Sequence, residues 1–135
     1  LITAALKMIS DMERIGDQAA DISELTIAMS QKQYIKNLEH IRSMARETMI
    51  MVIDSLQAFV DRDLEKAHAV IDHDDVVDDL FMTVKNEIIQ IIHNRPDDGD
   101  QATDLLMVAK YFERIGDHAT NIAEWVIFSI TGERQ

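Results

Sequence analysis

Cysteine is absent from the 135 residues. A disulfide framework, a zinc–thiolate site and a cysteine nucleophile are therefore excluded, and the absence fits a reducing compartment. Proline occurs once and glycine four times, so little punctuation interrupts regular structure. Basic residues are scarce, with 13 Lys and Arg against 25 acids and a formal net charge of -12. That balance argues against non-specific nucleic-acid binding, which relies on clustered Lys and Arg against phosphates. It also argues against docking on an anionic membrane through charge alone. Cations and basic protein surfaces are the partners such a chain suits. Long apolar runs are missing too. The densest, Met49 to Ile53, is far too short to span a bilayer.

What is abundant is Leu, Ile, Met, Ala, Glu and Asp, residues that favour helices or their ends. The length suits one domain with a modest core. Three breaks divide the chain. Asn94 to Asp100 is a loop in which Pro96 ends one helix and Asp100 is placed to cap the next. Asp61-Arg62-Asp63 is a second break, with Asp63 as the cap of a helix beginning at Leu64. Ser30 to Gln33 is polar and marks a softer third. The reading predicts four helices, at about 2–30, 34–61, 64–94 and 101–130. Met8, Met12, Ile15, Ala19, Ile22 and Met29 recur at helical spacing in the first, and Val77, Phe81, Val84, Ile88 and Ile91 in the third. Such stripes are buried faces, and short connections make successive helices antiparallel, so an all-α antiparallel bundle is expected. Most of the eight Met residues fall on these stripes and read as core. Leu1 opens in mid-pattern with no initiator Met, so the chain reads as a fragment.

The strongest signal is a self-match between Glu13–Glu24 (ERIGDQAADISE) and Glu113–Glu124 (ERIGDHATNIAE), identical at eight of twelve positions. Two predicted helices lie between the copies. A three-helix repeat with the motif on its last helix follows. Residues 1–30 would be the last helix of a first repeat, and 31–135 a complete second one.

At about 100° per residue, Asp17 lies about 40° from Glu13, Asp21 about 80° and Glu24 about 20°. Four carboxylates thus share one stripe, with Ile15 and Ile22 on the opposite side. Glu113, Asp117 and Glu124 keep that stripe in the second copy, and Asn121 replaces one acid with a neutral oxygen ligand. Like charges at this spacing oppose each other by roughly 0.2–0.5 kcal/mol per pair. An interior glycine, Gly16 or Gly116, costs about 1 kcal/mol relative to Ala. A bound multivalent cation would offset the repulsion, and glycine would admit a neighbouring helix or a ligand. The plainer alternative is a solvated stripe with Arg14 and Arg114 pairing nearby acids.

The third helix carries Asp72-His73-Asp74-Asp75-Val76-Val77-Asp78-Asp79. Two i,i+4 pairs are available there, Asp74/Asp78 and Asp75/Asp79, and spacing alone does not choose between them. Hard cations such as Mg²⁺ or Mn²⁺ prefer all-oxygen sites, and iron or zinc also use them. His68 and His118 are weaker ligand candidates, since a lone His on a polar helix is more often simply exposed.

A duplicated ERIGD helix with a downstream Asn-Ile-x-Glu, preceded by a D-x-x-x-D helix, resembles the PhoU family of phosphate-uptake regulators. The resemblance spans essentially the whole chain. It implies a cytoplasmic, all-helical protein of two three-helix bundles and a non-enzymatic role. Such proteins act with the phosphate ABC transporter ATPase and a membrane sensor histidine kinase to damp the phosphate-starvation response. It also implies metal clusters held by E/D-x-x-x-D motifs, iron or zinc foremost, with manganese or magnesium as further candidates. The family pattern D-x-x-hydrophobic-D, with Val77 before Asp78, selects Asp74 and Asp78 to face Glu113 and Asp117. Asn121 and Glu124 are supporting candidates, and Glu13, Asp17 and Asp21 would serve a first-repeat site whose facing helix is absent. Homo-oligomers and contact with the membrane only through partners are further expectations.

Two other readings compete. A metal-free helical interaction protein would be indifferent to chelator. A di-iron carboxylate protein of the ferritin-like kind needs two Glu-x-x-His motifs, and only Glu65–His68 occurs. No glycine-rich phosphate loop or Ser/His/Asp arrangement is legible.

Overall fold

The computed structural model describes the backbone of residues 1–29 and 39–132, and the side chains of 1–24 and 39–132. The described residues form four α-helices: α1 (Ile2–Met29), α2 (Glu39–Asp61), α3 (Leu64–Asn94) and α4 (Gly99–Thr131), with a 3-10 turn at Pro96–Asp98 before α4. The chain is all-α, as its composition and periodicity predict. The softer break at Ser30–Gln33, the predicted start of the second helix at 34 and the Met29 side chain lie outside the described residues.

The helix ends follow from local chemistry. At the α2–α3 junction Arg62 takes a left-handed backbone (φ 53°), which lets the Asp63 N–H donate back to the Ala58 carbonyl at 2.9 Å. Asp63 then caps α3 as predicted, its side chain accepting from the Lys66 N–H at 3.0 Å. Asp100 is not the cap of α4. The 3-10 turn that Pro96 initiates runs straight into that helix, leaving Asp98 at the cap position, where its side chain pairs with Arg95 and makes no capping bond, and Asp100 in the first turn. There its charge still favours the positive end of the helix. Gly132, with φ 78°, closes α4 through a bond to the Phe128 carbonyl.

The tight α2–α3 connection makes those helices antiparallel, and α4 packs against both. Met44, Met51, Val77, Val84, Ile122, Val126 and Ile127 form the dry centre. Burying each of these is worth about 1.5–3 kcal/mol. The α3 stripe behaves as read, with Val77, Val84 and Ile88 buried and Phe81 and Ile91 packed at its margin.

Helix α1 is different, because among the described residues it packs along α4 alone. Met8 is buried there, and Ile15 and Ile22 pack at the edge of the core. Met12 and Ala19, predicted to lie on the buried stripe, are exposed. A single neighbour covers only a narrow strip of the helix. Ile2, Leu6, Ile9 and Met12 consequently leave an apolar face open, Ile2 at 77% exposure.

Candidate metal centre

Helix α3 places Asp74, Asp78 and Phe81 at i, i+4 and i+7, on one face. Helix α4 places Lys110, Glu113 and Asp117 at i, i+3 and i+7 on the face it turns to α3. The antiparallel register puts Lys110 over the Phe81 ring, 5.2 Å from its centre. Asp74 and Asp78 thereby come close enough to Glu113 and Asp117 for their charges to act on one another. At Gly116 of α4, a Cβ would lie 3.6 Å from Val77 Cγ1 and from Thr48 Cγ2. Those are ordinary contact distances, so the helices do not approach so closely that only glycine fits. At Gly16 a Cβ would meet nothing within 4 Å.

The four carboxylates act on one another. Burial, followed by the charges of Asp78 and Asp117, raises the Asp74 pKa to about 6. Burial and then Glu113 raise Asp78, with a hydrogen bond from Asp74 partly opposing the rise. Asp117 is an exposed residue, yet partial burial of its carboxyl, and then the charges of Glu113 and Asp78, raise its pKa, while Lys110 and His118 pull it down. One oxygen, Asp74 Oδ1, is buried and has no hydrogen-bond partner. An unsatisfied buried acceptor of this kind costs about 1–3 kcal/mol.

The chemistry of this set suits a hard cation: carboxylate oxygens, one of them orphaned, with an ammonium as stand-in cation. Lys110 Nζ donates to Glu113 Oε1 at 2.6 Å. Among the described residues, no three acidic or imidazole groups close on one point at metal-ligand distance. A cation would have to draw these carboxylates together.

The other sequence candidates lie elsewhere. Asn121 and His118 turn to α1, where Asp11 is 4% exposed. Asn121 Nδ2 donates to Asp11 Oδ1 at 3.4 Å, and His118 Nδ1 lies 3.1 Å from the same oxygen. Glu124 is half-buried two helical turns beyond Asp117. His68 is half-buried on α3 with no hydrogen bond or ion pair among the described residues. Glu13, Asp17 and Glu24 are exposed on α1 and Asp21 is half-buried. Asp75 and Asp79, the alternative pair, face solvent.

Several partners escape the sequence reading. Lys110 was legible as an i,i+3 neighbour of Glu113. Asp11 interrupts the apolar series Ala4, Met8, Ile15, and a charge on a buried stripe signals a buried partner. Glu47, 2.5 Å from His73 Nε2, and the His40–Glu87 pair tie α2 to α3, and only tertiary structure places them.

A family model described as PhoU domain matches residues 41–126. The chain belongs to the PhoU family. This PhoU-family chain is similar to a phosphate-specific transport system accessory protein PhoU homolog of Clostridium acetobutylicum, 37% identical over 133 residues. The match covers 98% of the chain and 61% of the relative. A homolog of the same description in Thermotoga maritima is 31% identical, over 98% of the chain and 57% of the relative. Crystal structures of PhoU from Pseudomonas aeruginosa and of the phosphate transport system regulatory protein PhoU from Streptococcus pneumoniae superpose with TM-scores of 0.94 and 0.87. Their identities are 30% and 26%; they cover 98% and 99% of the chain, which covers 64% and 63% of theirs. The chain thus spans about three fifths of the length of these relatives. No helix among the described residues is long and apolar enough to cross a membrane.

Proposed function

We propose that this chain is the metal-binding part of a cytoplasmic adaptor that restrains the phosphate-starvation response. Its partners are the phosphate ABC transporter ATPase and a sensor histidine kinase, and it reaches the membrane only through them. Helix α1 is then the last helix of a first three-helix unit, and residues 31–135 are a complete second unit. The observation carrying the metal reading is Asp74 Oδ1, buried without a partner among four facing carboxylates. Asp74, Asp78, Glu113 and Asp117 would hold the cation. When bound, a divalent or trivalent ion supplies charge that cancels their repulsion and bridges α3 to α4. Iron or zinc leads, with manganese or magnesium also suited to such oxygens.

Metal content measured by mass spectrometry after loading and desalting tests this. The parent should retain metal, and the Glu113→Ala/Asp117→Ala variant should not. If both emerge empty, the ERIGD helices are a packing and partner-binding surface, and the metal-free interaction protein becomes the better reading.

The open apolar face of α1 supports self-association of this chain. Sedimentation should show dimers or larger species at high concentration. A clean monomer throughout would remove that expectation.

A further inference from the structure

Lys110 stands where the acidic faces of α3 and α4 end, and two contacts hold it there. Its ammonium donates to Glu113 at 2.6 Å, and it lies 5.2 Å from the centre of the Phe81 ring. Glu113 is well covered, with its side chain 15% exposed, whereas the Lys110 side chain is 42% exposed. The carboxylate is thus fixed in the helix interface, and the cation is the member free to leave. Its stem runs to solvent while its head is held by an anion and an aromatic face. The charge also reaches Asp117, whose carboxyl it stabilises as the anion.

We propose that Lys110 is a tethered counter-ion of the carboxylate set, occupying Glu113 when no metal is present and swinging out to admit a divalent cation. The inference rests on the metal reading above and adds a control on it. Lys110 sets the threshold concentration at which the site fills. It also accounts for why the carboxylates do not close on one point: Glu113 is engaged along α4, toward Lys110, and not across to α3. An ammonium about 6 Å from a divalent cation weakens its binding by about tenfold even at the dielectric of water.

The test is calorimetric titration of Mn²⁺ into the metal-free chain and its Lys110→Met and Lys110→Arg variants. Met keeps the length of the side chain and its contact with Phe81 but carries no charge. Lys110→Met should bind Mn²⁺ about tenfold more tightly than the parent, and Lys110→Arg should stay close to the parent. A second readout needs no metal. At low salt, Lys110→Met should melt below the parent, and added salt should narrow the gap.

If the parent binds Mn²⁺ and Lys110→Met binds it no more tightly, the counter-ion role is wrong and the metal site stands. If Lys110→Arg tightens as much as Lys110→Met, charge is not the cause and the proposal fails. Binding by Lys110→Met alone would confirm that the ammonium gates the site. If none of the three binds, the metal reading itself fails and takes this inference with it.

Discussion

Asp74→Asn should raise the melting temperature of the metal-free chain at pH 7. The carboxyl of Asp74 titrates near 6 in the folded chain, against about 3.9 when unfolded. A carboxyl whose folded pKa is raised favours folding while it is protonated in the folded state. Its contribution is complete below about pH 4 and is lost as the pH rises through 6. At pH 7 Asp74 is therefore an ionised group that the fold would prefer neutral. A shift of this size corresponds to about 3 kcal/mol before screening, and partial solvent access reduces it to about 1–2 kcal/mol. Asn has nearly the same shape and removes the charge, so thermal melts should show a gain of several degrees at pH 7. The advantage should shrink steadily toward pH 4, where the parent carboxyl is itself neutral. Asp78 and Asp117 are displaced in the same direction and should add to the trend of the parent. A variant that melts below the parent at pH 7, or whose advantage does not change with pH, would contradict this account. Added Mn²⁺ should reverse the order, stabilising the parent and leaving the variant unmoved.

Ile122→Ala is expected to destabilise the chain by about 2–5 kcal/mol, while Ile22→Ala should cost clearly less. Both isoleucines occupy the same place in the duplicated motif. Ile122 is fully buried at the centre of the three-helix core, whereas Ile22 is half-buried at its edge. Truncating Ile122 leaves a cavity inside the buried core, where close packing limits collapse. Urea unfolding of the two variants should separate them by more than 1 kcal/mol, well outside extrapolation error for paired curves. Equal losses would mean that α1 is packed as tightly as α4, against the one-sided burial described here.

Much of the fold was legible because helical periodicity is a local property. The α3 stripe through Val77, Val84 and Ile88, the Asp63 cap and the break at Pro96 each follow from neighbours in sequence. Asp100 failed as a cap because the 3-10 turn that begins at Pro96 leads directly into α4, which therefore starts at Gly99 with Asp98 at the cap position. Met12 failed for a different reason. Periodicity marks which side of a helix is apolar but not how many neighbours will cover it. Among the site residues, Asp74, Asp78, Glu113 and Asp117 come from the family pattern, and the structure brings their charges within reach of one another across α3 and α4. The family pattern offers Asn121 as a supporting ligand, and His118 reads as a weaker one, yet both turn to α1. Their partner Asp11 lies more than a hundred residues away in sequence, and only folding brings it within reach.

The crowding of α4 has a mechanical consequence. Gly116 lies against α2 and α3, Asp117 against the acids of α3, and His118 against Asp11 of α1. Three consecutive residues thus bear on three different helices. The helix is an axle with a separate load at each third of its circumference, and a backbone hydrogen-bonded at every turn resists twisting within one turn. A pull on Asp117 toward α3 is therefore a torque on the peptide that carries His118. The acidic face and the seat of α1 share a single bearing.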